Sequence, residues 1–452
     1  MKNLLDPAAK RRLFQIAWPL FIETALLLLI GSVDTLMVAR YANDASGAVG
    51  VGNQIIALFN MLFMIISVGS GILVSQFIGA GIKDKVSSIT VLSLLLNLTV
   101  GLASAVALTV FAPTFLGWLG LKGTLLTYGT TYVRIVGAGS VFQSLSMSIG
   151  AVVRAHGHTK TAMKASLTAN LVNVVLNYLL IYGVGFLGIP SLGVAGAAIA
   201  TLVSKAVNFG LLAIVLFRSV DRGLRWKLLR PFPADLFRKL LKIGFPSTGE
   251  NLSYNASQLI VTAVVTAISV TALNTKTFFA TLCGFIYAFT VAIGNATGVL
   301  VGQATGKGDP DSSDRLTRFS LFWSEIIALS VTLILAFAIR PAMRLFTDNP
   351  EIIRLAQTIV WIDLALEVGR AANILLGVAL KSAGDVVFPV SIAVAVSWTV
   401  MIPLAYLFGI ILGWGLPGVY IALAADELAR GTILLLRWHS QKWRNRSFVE
   451  NS

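Results

Sequence analysis

Charge is scarce in this chain, because only 12% of its 452 residues are Asp, Glu, Lys or Arg, about half the share found in soluble proteins. Cys283 is the only cysteine, so no disulfide can form within the chain and apolar packing is its expected role. The three histidines form no cluster with zinc-ligand spacing, and no GxxxxGK[ST] loop or nucleophile–base pair is present. These absences argue against a metalloenzyme, an ATP-driven pump, any other enzyme and a resident cofactor.

Long apolar runs are what the chain has instead. Hydrophobic residues make up 56% of it, and stretches of 20 or more, enough to cross a bilayer as a helix, recur from end to end. The pattern predicts an all-α polytopic membrane protein with 12 transmembrane helices. The predicted spans are residues 12–40, 46–79, 87–112, 124–153, 161–184, 192–218, 238–266, 275–306, 314–339, 351–381, 387–412 and 415–438.

An internal repeat relates the two halves of the chain. PLFIE at Pro19–Glu23 returns as PSTGE at Pro246–Glu250, and GILVSQFIGAG at Gly71–Gly81 returns as GVLVGQATGKG at Gly298–Gly308, both at a register of 227. Arg154 and Lys381 keep this register, and GVAGAAIA at Gly193–Ala200 pairs with GLPGVYIA at Gly415–Ala422 at a register of 222. Six spans per unit predict parallel repeats related by a pseudo-two-fold axis along the membrane normal. The expected domains are an N-lobe at 1–218, a cytoplasmic connector at 219–237 and a C-lobe at 238–452 with a short cytoplasmic tail.

The net charge of +15 is a topology signal. Most Lys and Arg residues lie in loops on the side of the N-terminus, and the opposite loops hold only Arg40, Lys122, Lys276, Arg340, Arg344 and Arg354. Positive residues stay on the cytoplasmic side during insertion, so both termini of this multi-pass cell-membrane protein are predicted to be cytoplasmic. The basic loops are suited to membrane lipids, and nucleic acid is excluded as a partner.

Two lobes of this kind leave a cleft near the midplane, and rocking about it gives alternating access. The duplicated bundle therefore favours a transporter, although a channel or a scaffold is built from similar parts.

Asp34 lies deep in the first span, where a carboxylate is costly and functional by default. It is either a packing group or a site for H⁺ or Na⁺. Burial favours the protonated form of a carboxylate and a bound cation favours the ionised form, so such a group can exchange one for the other. Glu23 and Glu250 occupy equivalent positions, where they either cap a turn broken by proline or line the cleft and attract cationic substrates.

Polar side chains also follow helical spacing in later spans. Asn170, Asn173 and Asn177 share one face of span 5, where they either join neighbouring helices or supply oxygens to an ion at Asp34; Thr201 is a weaker candidate. In span 10, Asp363, Glu367 and Arg370 predict an internal ion pair, with an ion or substrate role as the alternative. Asp426, Glu427 and Arg430 in span 12, with Lys205 in span 6, have a similar pattern. Packing or a hinge role, rather than ligand contact, is expected for Gln76 and Gln303.

These motifs, in this order, resemble the multidrug and toxic compound extrusion (MATE) transporters, with features of a bacterial or archaeal DinF-like branch. The resemblance rests on GSVDTLMVA around Asp34, the QxxGxG segments at Gln76–Gly81 and Gln303–Gly308, RAHGHTK at Arg154–Lys160, NLVNVVLNYLLIYG at Asn170–Gly183 and GVAGAAIAT at Gly193–Thr201. It implies antiport of lipophilic, usually cationic compounds against H⁺ or Na⁺ by a monomer. It also implies that Asp34 couples transport to the cation, with Asn173, Asn177 and Thr201 nearby.

The chain departs from the family pattern at three positions. Asn177 stands where the DinF-like branch commonly has aspartate. Tyr254 stands where a branch with a C-lobe sodium site has glutamate, and Arg370 falls on the aspartate of that site. The usual C-lobe site is therefore not expected, and Glu250 and Glu367, one turn away, are the candidates to replace it. A lipid-linked oligosaccharide flippase of the same superfamily is the nearest alternative, although such proteins line their cleft with more basic residues.

Overall fold

The computed structural model consists of helices joined by turns and short loops in the part of the chain that it describes. The described residues are 6–41, 43–183, 190–220 and 226–449, without the side chains of 29–36, 39, 43–44 and 226–227. No strand occurs in these ranges, so the all-α prediction is confirmed for them. Residues 221–225 of the predicted connector lie outside the described residues.

Every stretch that the sequence predicts to span the membrane coincides with helix in the described residues, apart from a break at Phe111, the bend at Gly139 and end residues such as Leu412. The helices of the first half are α1 (Pro7–Tyr41), α2 (Asn43–Gly79), α3 (Lys83–Val110), α4 (Ala112–Trp118), α5 (Gly123–Ala138), α6 (Ser140–Ala155), α7 (Thr159–Tyr182) and α8 (Gly193–Val215). Those of the second half are α9 (Ala234–Ile268), α10 (Val270–Gly306), α11 (Pro310–Met343), α12 (Pro350–Ala383), α13 (Val387–Val396), α14 (Ile402–Tyr406) and α15 (Gly415–His439). Short π-helical turns extend α8 and flank α14.

Several of these helices start at a capping side chain. Asp309 accepts a 2.9 Å hydrogen bond from the backbone N–H of Ser312 and a 2.6 Å bond from its hydroxyl. These two bonds, the hydroxyl first, hold the pKa of Asp309 below its ordinary value, since they favour the ionised carboxylate. Asn349 caps α12 in the same way through Glu351 N–H, and each cap is followed by proline at the first helical position, where the missing N–H costs nothing.

Seven helical segments of the described chain are long and apolar enough to cross a membrane, or eight if α5 and α6 form one span. The seven are Ala45–Gly79, Lys83–Val110, Thr159–Tyr182, Gly193–Val220, Val270–Gly306, Pro310–Met343 and Val387–Ile411. Helices α5 and α6 meet at a bend of 47°. Helices α12 and α15 are also long, but Asp363, Glu367 and Arg370 in one and Asp426, Glu427 and Arg430 in the other make them more polar.

The chain forms two compact units whose boundaries fall within helices. Unit 1 comprises Met1–Phe21, Ser75–Gly81 and Phe245–Ser452, and unit 2 comprises Ile22–Val74 and Ile82–Gly244. Helices α1, α2 and α9 therefore each contribute residues to both units. The division into lobes at 1–218 and 238–452 stays a prediction.

Unit 1 is built around α12, which packs against α10, α11 and α15. Phe279 and Tyr420 meet edge-on in its core, with ring centroids 5.6 Å apart, a favoured aromatic geometry. The end of α2 crosses the end of α10 in this unit at Gly79 and Gly306. A Cβ on Gly79 would collide with the backbone carbonyl of Gln303, and one on Gly306 would collide with that of Gln76.

The two glutamines of this crossing hold it together, as the packing prediction requires. Gln76 donates a 2.8 Å hydrogen bond to the carbonyl of Ser382 and accepts one of 2.8 Å from Phe448 N–H. Gln303 accepts a 2.8 Å bond from Arg12. Both glutamines are buried, so these bonds satisfy amides that would otherwise be costly to bury.

In unit 2, α7 packs against α8, α3 packs against α6, and α5 and α6 both pack against α8. Gly139 is the single residue between α5 and α6. A Cβ at this position would lie 2.7 Å from Leu202 Cδ1 and 3.7 Å from Lys205 Cδ of α8. The bend therefore brings the backbone close to α8, where only glycine fits without displacing a neighbour.

Candidate functional site

A polar cavity of about 580 Å³ lies within unit 2. Side chains from α1, α2, α5, α6, α7 and α8 line it. Its apolar residues include Leu27, Val38, Ile56, Met147 and Leu212. Its polar residues are Glu23, Ser46, Asn53, Asn60, Tyr132, Gln143, Ser146, Arg154, Ser166, Asn170, Asn173, Asn177, Thr201, Ser204, Lys205 and Asn208. A cavity of this size, apolar in part and set with convergent polar groups, is suited to a small organic molecule.

The asparagines that share one face of α7 all line this cavity. Asn177 donates to Asn173 Oδ1 at 3.3 Å, and Asn170 donates to the carbonyl of Ser166 at 2.8 Å. Thr201, on α8, lines the same space and donates to the carbonyl of Ala197. The structure thus brings together three of the four residues predicted to couple the cation. The fourth is Asp34, which belongs to α1 but whose side chain lies outside the described residues.

Glu23 and Arg154 form an ion pair in the lining of the cavity. Arg154 Nη1 lies 3.9 Å from Glu23 Oε1, and both residues line the space. The predicted cleft carboxylate therefore has a cation beside it, which weakens its attraction for a cationic substrate.

Unit 1 repeats this pair at the equivalent positions. Lys381 donates a 2.8 Å hydrogen bond to Glu250 Oε2, and 250 and 381 are 23 and 154 shifted by the repeat register of 227. The pairing itself was missed at the level of sequence, although the shared register of all four residues is the signal that could have found it.

A buried charged cluster connects α12 with α15 in unit 1. Arg370 pairs with Glu367 on its own helix and lies 3.6 Å from Glu427 Oε1 on α15. Arg430 pairs with Asp426 and lies 3.3 Å from Glu427. Helical spacing singles out all five residues, but it does not predict the contact between the two helices that Arg370 makes with Glu427.

Asn373 and two of the other candidates of unit 1 lie beside this cluster. Asn373 donates a 2.8 Å hydrogen bond to Glu427 Oε2, and the ring of Tyr254 lies 6.0 Å from the guanidinium of Arg430. Asp363 is 2% exposed and accepts a 3.4 Å bond from the thiol of Cys283. The predicted pair of Glu367 with Arg370 is present, and Glu250 is held by Lys381 rather than by this cluster.

Bilayer-length helices that enclose a polar cavity and a network of buried charges define a multi-pass membrane transporter. The chain matches the MatE family over residues 19–179 and 246–407, and it belongs to that family of MATE transporters. The two matched segments start at positions 19 and 246, an offset equal to the first register of the internal repeat.

Relatives of similar length accompany this match. The chain is 34% identical over 441 residues to the uncharacterized transporter YisQ of Bacillus subtilis, covering 97% of this chain and 96% of that protein. It is 27% identical over 451 residues to the probable multidrug resistance protein NorM of Thermotoga maritima, covering 98% and 95%. The fold is similar, with a TM-score of 0.87, 20% identity and 96% coverage of both chains, to an outward-facing multidrug resistance MATE family transporter of the MOP superfamily.

Proposed function

We propose that the protein is a secondary active antiporter that exports small amphiphilic organic molecules in exchange for H⁺ or Na⁺. The observation that carries this proposal is the polar cavity of unit 2, which lies among membrane-length helices of a MATE transporter. The names of relatives such as the Thermotoga maritima protein support multidrug efflux. Alternating access of the cavity is the expected mechanism.

The proposed architecture has twelve spans in two lobes. The bent pair α5–α6 counts as one span, α13 and α14 with their π-helical turns as another, and α1, α9, α12 and α15 as spans that tolerate internal polar groups. The twofold family match supports two repeats of one architecture, and α8 and α15, which follow the matched segments, are the sixth span of each repeat in this scheme. With an even number in each, both termini lie on one side in this scheme, and the excess of basic residues in the loops of that side supports a cytoplasmic location.

Coupling is assigned to α1, α7 and α8 of unit 2. Asp34 binds the proton or the sodium ion, and Asn173, Asn177 and Thr201 supply neighbouring oxygens. The support is that these three residues line one cavity. Because a carboxylate in a membrane interior is stable only with a proton or a cation beside it, its occupation is suited to drive a change of shape.

The charged cluster of unit 1 is assigned a structural role in this scheme. Opposite charges alternate across two helices in Glu367, Arg370 and Glu427. Both carboxylates are therefore paired with arginine, and neither is free to exchange a proton for a sodium ion. Tyr254 and Asp363 border that cluster and Glu250 is paired, and we assign none of them to the drug site.

The test is dye efflux from proteoliposomes of purified protein, with Na⁺ and H⁺ gradients imposed separately. The expected result is saturable transport driven by one of the gradients. Asp34→Asn should abolish it, whereas Asp348→Asn, the same change at an exposed loop residue, should not. Dye flux that is independent of both gradients would identify a channel. Flux of a lipid-linked sugar instead of the dye would identify a flippase.

A further inference from the structure

Lys205 lies at the centre of a membrane span. The span that includes α8 runs from Gly193 to Val220, so Lys205 is twelve residues from one end and fifteen from the other. At the helical rise these distances are about 18 Å and about 22 Å. A lysine side chain reaches about a third of the shorter of these distances, so it cannot place its ammonium group at either membrane surface. The charge must therefore be accommodated inside the protein, and Lys205 lines the polar cavity.

No acidic side chain in the described part of unit 2 pairs with the ammonium group of Lys205. It has neither an ion pair nor a side-chain hydrogen bond with another described residue. The only described carboxylate of the lining is Glu23, which lies beside Arg154. One turn along α8, Asn208 Oδ1 is also buried without a hydrogen-bond partner in the described chain. An isolated ammonium inside a span is costly unless it is paired.

The internal repeat shows what balances the equivalent charge in the other half. Helices α8 and α15 begin at Gly193 and Gly415, in the repeat register of 222, so Lys205 corresponds to Glu427. In unit 1, Glu427 has Arg370 and Arg430 within 3.6 Å and 3.3 Å.

The residues equivalent to those two arginines are neutral amides in unit 2. Arg370 corresponds to Gln143 at the register of 227, and Arg430 corresponds to Asn208 at the register of 222. Both amides line the cavity. The first repeat thus has one charge at this position, of opposite sign, and two neutral amides beside the cavity where the second repeat has two balancing arginines.

We infer that the cavity of unit 2 takes the carboxylate group of its substrate at Lys205. This inference rests on the proposed function, because it names the chemistry of the molecule bound in the same cavity. The ammonium of Lys205 pairs with the carboxylate, the amides of Gln143 and Asn208 donate to it, and the apolar wall receives the rest of the molecule. The substrate class is an amphiphilic carboxylic acid or zwitterion rather than a purely cationic compound.

A matched pair of fluorescent probes tests the charge preference directly. Rhodamine 110 carries a free carboxylate, and rhodamine 123 is its methyl ester with the same fused-ring body. Binding of each to the purified full-length protein is measured by fluorescence anisotropy in neutral detergent. Wild type should bind rhodamine 110 about tenfold more tightly than the ester, the scale of one charge-assisted hydrogen bond. Equal affinities, or tighter binding of the ester, would overturn the inference.

Substitutions then assign the preference to this residue. Lys205→Met should remove it by weakening rhodamine 110 binding about tenfold while leaving the ester unchanged, and Lys205→Arg should keep it. The matched control is Lys276→Met, which changes a half-buried lysine of unit 1 that donates to Thr262; both affinities should stay at the wild-type values. A loss of equal size for both probes in Lys205→Met would indicate a structural role and contradict the inference.

Lipid phosphate is the other source of anionic groups in a membrane. Rhodamine 110 binding is therefore repeated in nanodiscs of phosphatidylcholine with and without phosphatidylglycerol. The preference should persist in both. Its disappearance with phosphatidylglycerol in wild type would make the headgroup the occupant and overturn the inference. These measurements need no ion gradient, so a failure of antiport in proteoliposomes and a failure of carboxylate recognition are separate results.

Discussion

Lys381 of α12 donates a 2.8 Å hydrogen bond to Glu250 of α9, and this bond reproduces, in the register of the internal repeat, the pairing of Arg154 with Glu23. In both repeats the acid follows the proline of the first helix by four residues, and the base lies at the end of the helix that completes the fourth predicted span, α6 or α12. The duplicated sequence therefore retains not only apolar spans but also an ion pair between them. The pair is closer in unit 1, where the two side chains are 24% and 16% exposed.

Glu250→Gln should destabilise the protein by about 1–3 kcal/mol, because it leaves the ammonium of Lys381 half-buried without its counter-charge. The change is measured as the loss in midpoint of thermal unfolding in detergent. Glu23→Gln is the matched change in unit 2 and should cost less, since its ion pair is 3.9 Å long. Exchange of the two charges, Glu250→Lys with Lys381→Glu, should recover part of the loss. No recovery would mean that the two side chains act independently.

Arg370→Met should cost more, about 3–5 kcal/mol, because breaking a buried ion pair leaves an uncompensated charge. Glu367, whose side chain is 0% exposed, then loses the arginine with which it pairs among the described residues. Thermal unfolding in detergent measures this loss. Adding Glu367→Gln removes one of the stranded charges, so the double variant should be more stable than Arg370→Met alone.

Arg318→Met is the control for this prediction. Arg318 pairs with Asp314 at 2.8 Å, but its side chain is 53% exposed, and exposed ion pairs contribute little. Its unfolding midpoint should stay close to wild type. If Arg318→Met were as harmful as Arg370→Met, burial would not explain the strength of the cluster.

The sequence predicts the parts of this molecule that depend on local pattern. Apolar runs place the helices, and helical spacing identifies the pair of Glu367 with Arg370. The contact of Arg370 with Glu427 could not be predicted in this way, because it joins residues far apart in the chain through the packing of α12 against α15. The division of α1 and α9 between two units has no local signal either, since an uninterrupted apolar run looks the same whichever helix it packs against.

Gly306→Ala should destabilise unit 1, because the added methyl group collides with the backbone carbonyl of Gln76 at the crossing of α2 and α10. A backbone atom cannot move aside as a side chain does, so we expect a loss of at least about 2 kcal/mol, within the range of core overpacking. Gly79→Ala, its equivalent, should behave alike. Gly210→Ala is the control, because nothing lies within 4 Å of its added Cβ and alanine is favoured within a helix. The yield of monodisperse protein and the thermal midpoint in detergent distinguish these outcomes.

Lys205→Glu with Asn208→Arg should convert the charged position of unit 2 into the arrangement of unit 1, where Glu427 pairs with Arg430 three residues along the same helix at 3.3 Å. Lys205→Glu alone places a carboxylate in the cavity without the second half's arginines, and should lower the thermal midpoint.

The added arginine at 208 is expected to restore about 1–3 kcal/mol of that loss, because the new charges can pair at helical spacing. The double variant should nevertheless lose the preference for rhodamine 110 over its methyl ester, since the free ammonium is gone. Thermal unfolding and probe anisotropy on the same preparations measure the two effects. A double variant less stable than Lys205→Glu would show that the two repeats do not share a common geometry at this position.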